Sequence, residues 1–331
     1  MNPDSLTNSP QHDTQSNGVE TTVKLGPNGK PVRPFIMPKS FFGKLTVWRF
    51  IIYRRIVQLG VLLLFFGSAH WGWTLFDKPI LRGNLSASEF LGIIPMADPF
   101  ATLQIFLAGH VLHKDVIIGA LIVFTAYLLL GGRVWCSWVC PVNMLTDLAG
   151  WIRKRMKIKD TMRLKRNLRY VILTMALVLS LLMGVAAFEW ISPISIFHRE
   201  LIFGIGAGWV FLVGIFLFDL FVLKNGWCGH LCPLGAFYAL VGKVAPLRMS
   251  FDTPTCTHCI ECVRVCPEPQ VLDFKRAAEL GMISSGECTN CARCITVCPE
   301  DTLKFDLRHK IKPKQFETVA VELDKPNVQT I

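Results

Sequence analysis

The 331-residue chain lacks the sequence signatures of several large protein classes. It contains no Cys-x-x-Cys-His, since the nearest match, Cys256 to Cys259, is followed by Ile260, and this excludes covalently attached c-type haem. It has no G-x-S-x-G, no Walker loop, and no G-x-G-x-x-G between a strand and a helix; the Gly-x-Gly at 204–206 lies in an apolar run. An ordinary enzyme with its own substrate pocket is therefore disfavoured.

An N-terminal signal peptide is also missing from this sequence. Residues 1–45 are mostly polar, rich in Asn, Ser, Thr, Pro and Gly, and without apolar periodicity, which predicts a disordered cytoplasmic tail. Arg54-Arg55 precedes the first long apolar run and is faintly similar to a twin-arginine export signal. The wide basic flank and the length of that run favour a retained membrane anchor instead.

Long apolar runs are abundant. The hydrophobic fraction of 51% and the mean hydropathy of +0.41 are too high for a soluble protein. Four segments are long enough to span a bilayer, which needs about 20 residues: Ile56–Phe76, Val116–Trp135, Tyr170–Trp190 and Phe203–Leu223. A fifth stretch, Phe90–Val111, contains two prolines and Asp98, so we expect it to be interfacial or re-entrant. The sequence predicts an α-helical membrane protein whose four transmembrane helices form two hairpins over residues 46–245.

The net charge of +11 is concentrated in two basic runs beside these segments. Eight Lys and Arg lie between Lys24 and Arg55, and nine lie between Arg153 and Arg169. Basic flanks of membrane helices explain them better than nucleic-acid binding does, and they place these regions in the cytoplasm. We therefore predict a multi-pass protein of the bacterial inner membrane with both termini cytoplasmic and no nucleic-acid partner.

Eight of the twelve cysteines form two copies of one spacing, C-x2-C-x2-C-x3-C-P, at 256–267 and 288–299. This is the signature of bacterial two-cluster ferredoxins, in which the fourth cysteine of each run ligates the other cluster. Zinc would leave the third cysteine and the C-x3-C-P ending unexplained. The sequence thus predicts two [4Fe-4S] clusters in a small α+β ferredoxin domain at 246–308, followed by a tail at 309–331. The predicted ligand sets are Cys256, Cys259, Cys262 and Cys298 for one cluster, and Cys288, Cys291, Cys294 and Cys266 for the other.

The remaining four cysteines form a second repeat. Trp135-Cys136-Ser137-Trp138-Val139-Cys140-Pro141 is echoed by Trp227-Cys228-Gly229-His230-Leu231-Cys232-Pro233, and each copy closes one predicted hairpin. Thiols at i and i+4 share a helix face, which suits a dithiol–disulfide pair or half of a metal site. If the hairpins pack as equivalent halves, the four thiols converge on one metal. Buried free cysteines that only fill space are the plain alternative.

The combined pattern resembles the NapH family of membrane ferredoxins, which serve periplasmic nitrate reductase systems. The resemblance rests on the four apolar segments, the two C-x3-C-P motifs and the two cluster motifs in that order, over about residues 48–308. Strings such as Arg82-Gly83-Asn84-Leu85-Ser86 and Glu189-Trp190-Ile191-Ser192-Pro193 are similar to family members. The resemblance implies an electron-transfer subunit of a quinol dehydrogenase, with membrane quinol as donor and a partner ferredoxin subunit leading to a periplasmic nitrate reductase.

A quinol site needs an apolar slot and a polar group that accepts protons. Among the polar residues on the predicted periplasmic side (His70, Asp98, Gln104, His110 and His113), we expect His110 and Asp98 to act, because they flank the broken apolar stretch. The alternative function is copper handling or maturation of a respiratory enzyme by a related membrane ferredoxin. Such proteins carry an extra domain after the ferredoxin segment, whereas this sequence stops soon after Cys298.

Overall fold

The computed structural model describes residues 31–33, 35–75, 78–162, 164–204 and 206–311. Helix α1 spans Phe41–His70 and is the one helix in these ranges that is long and apolar enough to cross a membrane. It begins before residue 45, inside the stretch predicted as a disordered tail, and residues 1–30 of that tail lie outside the described ranges. The predicted C-terminal tail is likewise outside them from residue 312 onward.

Two small antiparallel sheets follow α1. Their strands are β1 (Thr74–Leu75), β2 (Lys78–Pro79), β3 (Leu81–Gly83), β4 (Ala87–Phe90) and β5 (Ile94–Ala97). In the three-stranded sheet Leu81 pairs with Phe90, and Ala87 pairs with Ala97. The stretch predicted as interfacial or re-entrant is therefore part strand and part helix, with α2 spanning Pro99–Leu107.

The rest of the helical domain is built from shorter helices. They are α3 (Lys114–Leu130), α4 (Val134–Trp138), α5 (Val142–Met156), α6 (Leu168–Met183), α7 (Ala187–Ile191), α8 (Pro193–Phe203), α9 (Gly208–Leu217) and α10 (Pro233–Gly242). Two π-helical turns, Phe218–Val222 and Trp227–Leu231, lie between α9 and α10. A β-carbon on Gly119 of α3 would lie 3.0–3.1 Å from the backbone of β5, so a glycine there lets the sheet pack directly on the helix.

The four predicted spans therefore correspond to one long helix and three interrupted ones. Helix α3 has 17 residues and ends at Gly131, whose φ is 114°, while α6 has 16 residues and ends at Gly184, with φ 66°. Glycine adopts this left-handed conformation readily, and it commonly ends helices. Helix α9 has 10 residues before its π-helical continuation. By helix length, only the first predicted span is long enough to cross a bilayer unaided.

The ferredoxin domain follows as a compact α+β unit. Strand β6 (Leu247–Phe251) pairs antiparallel with β7 (Leu303–Leu307), joining the two ends of the domain. Between them lie α11 (Glu261–Val265), α12 (Phe274–Leu280) and α13 (Arg293–Val297). Their apolar side chains form a core of their own, made of Met249, Phe251, Val271, Leu272, Ala277, Ile283 and Leu303. The α+β character agrees with the sequence prediction.

Buried ion pairs attach the ferredoxin domain to the helical domain at two places. In the Glu268 network, the Glu268 carboxylate lies 3.0 Å from Arg133 and 3.6 Å from Arg169 and also pairs with Arg166. Arg169 pairs in addition with Glu287. In the Asp147 network, the carboxylate of Asp147 in α5 forms ion pairs with Arg54 and Arg55 of α1 and with Arg293 of α13. Charges buried in this way are stabilising only as complete sets, so both networks specify how the domains dock.

Candidate functional site

The eight ferredoxin cysteines are gathered around two cavities. Cys256, Cys259, Cys262 and Cys298 line one cavity, which we call the distal site. Cys266, Cys288, Cys291 and Cys294 line the other, which we call the proximal site because it faces the helical domain. Each site takes three cysteines from one run and the fourth from the other. These are the two groups that the spacing predicts as ligand sets.

Both sites depend on left-handed backbone turns at residues other than glycine. In the distal loop φ is 55° at His258 and 56° at Ile260, and in the proximal loop it is 49° at Asn290 and 60° at Ala292. Such conformations cost free energy and persist where surrounding structure demands them, as at ligand clamps. The two turns stand at matching places in the repeats, so both cysteine loops have the same bent path around their cavity.

The four C-x3-C-P cysteines meet at a third cavity inside the helical domain. Cys136, Cys140, Cys228 and Cys232 line this cavity, which we call the central site. Electrostatic interactions link Cys228 with each of the other three thiols. All twelve cysteines are free, and within the described ranges no three or more His, Cys, Asp or Glu side chains meet as ligands of a single metal ion.

The central site and the proximal site share a dense set of contacts. Ser137, between the two thiols of the first motif, donates to the carbonyl of Thr289 at 2.7 Å, and the indole of Trp138 donates to the carbonyl of Asn290 at 3.1 Å. Arg133 lines the central site and donates to the carbonyl of Cys228 at 3.2 Å. The proximal loop therefore lies directly on α4.

The Glu268 network occupies the same junction. Arg133 donates both to the Glu268 carboxylate and to the carbonyl of Glu287, the residue before Cys288. Burial alone would raise the pKa of Glu287, but hydrogen bonds from Gln270 and Arg169 outweigh it and lower that pKa to about 2. Glu287 is therefore an anion at neutral pH, as its pairing with Arg169 requires.

The Asp147 network has the same electrostatic character. Burial would raise the pKa of Asp147, but Arg293, Arg54 and Arg55 outweigh it and hold the pKa below its usual range. The Arg54 side chain, only 1% exposed as a residue, also donates to the carbonyl of Ser137 at 2.8 Å. The basic run that the sequence predicts as a solvated flank thus ends in arginines that position the first C-x3-C-P motif.

An apolar cavity of about 240 Å³ lies next to the central site. Its lining includes Val61, Phe65, Leu85, Val123, Tyr127 and Trp135, and its polar groups include Asp98 and Tyr238. The Tyr238 hydroxyl donates to the Asp98 carboxylate at 2.8 Å. Burial raises the pKa of Asp98 to about 6, against the opposing hydrogen bond from Tyr238. Trp135 lines both this cavity and the central site.

A larger cavity of about 780 Å³ adjoins the apolar one, and Phe65 and Leu81 line both. It lies between the strand segment and helices α7 and α8, and none of its lining residues is a cysteine. Of the two cavities, the apolar one shares a lining residue, Trp135, with the central site.

The structure separates the two residues that the sequence predicts as a quinol pair. Asp98 caps the start of α2 and lines the apolar cavity, while His110 follows the other end of α2, is exposed, and contacts the Gly184 carbonyl at 3.0 Å. Gln104 is buried and accepts from the Phe188 amide, a structural contact. Sequence reasoning did not find Tyr238, which is 140 positions from Asp98 along the chain. Arg133 could have been singled out from the sequence, because a single charged residue next to a long apolar run indicates a functional or structural role.

Two four-cysteine sites in ferredoxin spacing, on a chain with a long apolar helix, define a ferredoxin-type iron–sulfur protein. Comparison with family models agrees. A 4Fe-4S dicluster domain matches residues 248–299, and a 4Fe-4S binding domain matches residues 112–159 and 205–251. The chain belongs to the NapH/MauN family of ferredoxin-type electron-transfer proteins, which confirms the resemblance seen in the sequence.

Three relatives illustrate the match. The chain is 45% identical over 229 residues to the methylamine utilization ferredoxin-type protein MauN of Methylobacillus flagellatus, covering 68% of this chain and 78% of the relative. It is 42% identical to the ferredoxin-type protein NapH of Haemophilus influenzae, covering 68% and 77%. It is 41% identical to NapH of Escherichia coli, again covering 68% and 77%. No solved structure matches the chain.

Proposed function

We propose that this protein is a membrane-bound electron-transfer subunit that oxidises a membrane quinol and supplies electrons to a partner ferredoxin subunit. The observation that carries the proposal is the apolar cavity with a buried carboxylate beside the thiol sites. A quinol ring is apolar, yet two protons must leave it on oxidation. A slot lined by hydrophobic side chains, with one convergent acid, meets both needs.

The two ferredoxin sites fit iron–sulfur clusters. Each brings four thiols around one cavity, and thiolates are the usual ligands of cubane clusters. In the distal site Cys256, Cys259, Cys262 and Cys298 would hold a [4Fe-4S] cluster, and in the proximal site Cys266, Cys288, Cys291 and Cys294 would hold a second. Such a cluster, when bound, accepts and releases one electron at a time.

The apolar cavity is sized for a single ring. Its volume of about 240 Å³ is below the range of about 300–1,000 Å³ typical of pockets that enclose a whole drug-sized ligand. The quinol headgroup would lie in this cavity while its isoprenoid tail remained in the adjoining larger space. Phe65 and Leu81, which line both cavities, would pack against the ring and the start of the tail.

Asp98 is the proton acceptor in this proposal, and His110 is not, because only Asp98 reaches the cavity. With a pKa of about 6, a buried carboxylate is ionised at neutral pH but is basic enough to take a proton from a quinol hydroxyl. Tyr238 orients the carboxylate by its hydrogen bond. Tyr127, whose ring centroid lies 5.4 Å from that of Tyr238, also lines the cavity.

The proposed acceptor beyond the ferredoxin domain rests on similarity to the relatives. By similarity to the NapH proteins, the partner chain would lead to a periplasmic nitrate reductase. The MauN relatives carry methylamine utilization in their names, so an acceptor in a methylamine-utilizing system is the second candidate. The protein would lie in the bacterial inner membrane, with α1 as one anchor and the shorter apolar helices completing a multi-pass domain.

The test is Asp98→Asn, with Asp115→Asn as matched control, since Asp115 is exposed at the start of α3 and lines none of these cavities. We expect the rate of cluster reduction by a quinol analogue to fall about 10²–10⁴-fold in Asp98→Asn, the usual contribution of a general base. The wild-type rate should rise as pH increases through about 6, where the Asp98 carboxylate ionises. Stopped-flow absorption and EPR would measure both.

Dithionite reduction supplies the internal control, because it bypasses the cavity and should proceed equally in all three proteins. An Asp98→Asn variant that is reduced by quinol at the wild-type rate across pH 5–8 would contradict the proposed site. Clusters that are reduced by dithionite but never by quinol would contradict the quinol donor itself.

A further inference from the structure

We infer that Cys136, Cys140, Cys228 and Cys232 bind a third iron–sulfur cluster at the central site, between the apolar cavity and the proximal site. This goes beyond the proposed function, because it concerns thiols outside the ferredoxin motif and holds whatever the electron donor is.

The first support is an internal comparison of three cavities. The distal, proximal and central sites each have four cysteines in their lining. The ferredoxin spacing identifies the first two as cubane sites. The central site matches them in number of thiols, although its cysteine spacing is entirely different.

The second support is the way each half of the helical domain supplies two ligands. Cys136 lies in α4 and Cys140 precedes α5, while Cys228 lies in a π-helical turn and Cys232 is the N-cap of α10. In both halves a proline at or beside the helix start follows the second thiol. The two segments that match a 4Fe-4S binding domain, 112–159 and 205–251, contain one of these pairs each. A cubane cluster has four thiolate ligands, so two thiols from each segment would together bind one shared cluster.

The third support is electrostatic. Four thiolates around an iron–sulfur core leave a net negative charge, which is costly to bury without a counter-charge. Arg133, 1% exposed, lines the cavity and interacts with Cys136. The amide of Gly235 donates to the sulfur of Cys232 at 3.4 Å, and the Thr146 hydroxyl oxygen lies 3.9 Å from the sulfur of Cys228. Hydrogen bonds to cluster sulfurs are one of the means by which proteins tune cluster potentials.

The position of the central site would place the cluster on the path of electrons from the apolar cavity to the proximal site. Trp135 separates it from the apolar cavity, and Arg133, Ser137 and Trp138 connect it to the proximal loop. Oxidation of one quinol to quinone releases two electrons and two protons. The electrons would leave one at a time through the central cluster to the two ferredoxin clusters and then to the protein acceptor, while the protons leave by way of Asp98.

The experiment counts iron and acid-labile sulfide in the full chain, purified anaerobically in detergent. Three cubanes require about twelve iron atoms per chain and two require about eight. We expect about twelve in the wild type and about eight in Cys228→Ser and in Cys140→Ser, with the ferredoxin EPR signals retained. Val139→Ala, on the same segment as the first pair, is the matched control and should keep about twelve.

If a variant fails to fold, the number of iron atoms per wild-type chain tests the inference by itself. About eight iron atoms in the wild type would overturn the inference, as would one zinc per chain beside eight iron atoms. Resistance of the four thiols to alkylation until a disulfide reductant is added would overturn it too. None of these results would touch the quinol proposal, which is tested by the Asp98 variant.

Discussion

The distal and proximal sites are built from the same motif but lie in different surroundings. Both cavities are lined by residues of the ferredoxin domain, and the distal lining includes His258, Phe274 and Glu300. The proximal lining includes Glu268, Thr289 and Arg293, each of which bonds across to the helical domain. The repeat therefore builds two similar cavities, and the contacts outside the repeat decide which one faces the helical domain.

This difference predicts the direction in which electrons cross the ferredoxin domain. The proximal site is the one through which electrons would enter from the helical domain, and the distal site is the one left to meet a partner protein. A duplicated motif thus supports an ordered path because, among the residues that the structure describes, the buried ion pairs to the helical domain lie beside one copy.

The largest expected effect separates the two sites directly. Cys294→Ala should remove the proximal cluster and Cys262→Ala the distal one. We expect a quinol analogue to reduce the remaining cluster in Cys262→Ala, but at least about tenfold more slowly in Cys294→Ala, because in the described part of the chain the hydrogen bonds and ion pairs named above join the helical domain to the proximal loop. EPR after freeze-quench would follow each cluster.

Dithionite should reduce the remaining cluster equally in both variants, which controls for cluster loss. Equal reduction by quinol in the two variants would show that the sites are equivalent and would remove the assigned direction.

A smaller effect is expected from the ion pairs that make the sites unequal. Glu268→Gln leaves three arginines facing an uncharged amide, and breaking a buried ion pair costs about 3–5 kcal/mol. The matched control is Glu261→Gln on the distal side, whose partner Arg264 is 57% exposed in its side chain, so the expected cost is under about 1 kcal/mol. Denaturant titration monitored by cluster absorption measures both. Comparable costs would contradict the role given to the Glu268 network.

The smallest expected effect is a loss of folding stability at acidic pH. The pKa of Glu287 is lowered to about 2 in the folded chain from an ordinary 4.5, so its stabilising contribution is complete above 4.5 and is lost as pH falls from there towards 2. Allowing for solvent screening, we expect a loss of about 1–2 kcal/mol over that interval. Glu287→Gln should flatten the pH dependence of unfolding, and an unchanged profile would contradict the assigned pairing.

The sequence predicts those features of the site that depend on the spacing of residues along the chain. The two cysteine runs predict their own grouping because the x3 step carries the fourth thiol away from its run. The repeat of the C-x3-C-P motif likewise predicts that Cys136 and Cys228 occupy equivalent places. The contact between Asp98 and Tyr238 has no local signal, since a hydrogen bond between distant elements depends on packing and not on spacing.

Helix ends were the weaker part of the sequence prediction. Apart from Arg133 and Glu189, the stretches from Leu130 to Trp135 and from Met183 to Ile191 carry no charged side chain, so hydropathy averaged along the chain predicts uninterrupted spans. The backbone turns at Gly131 and Gly184 instead. The turn at Gly131 and Gly132 is what brings Arg133 under the proximal loop, a consequence that only the three-dimensional packing reveals.

One contact described by the structure constrains how the protein is made. The side-chain amide of Asn290, in the proximal loop, donates to the carbonyl of Leu130 at the end of α3. A helix end formed early in synthesis is therefore completed by a residue that leaves the ribosome much later. Until the ferredoxin loop has folded against it, the Leu130 carbonyl lacks this partner. The end of α3 therefore reaches its final contacts only after the second cluster motif has been made.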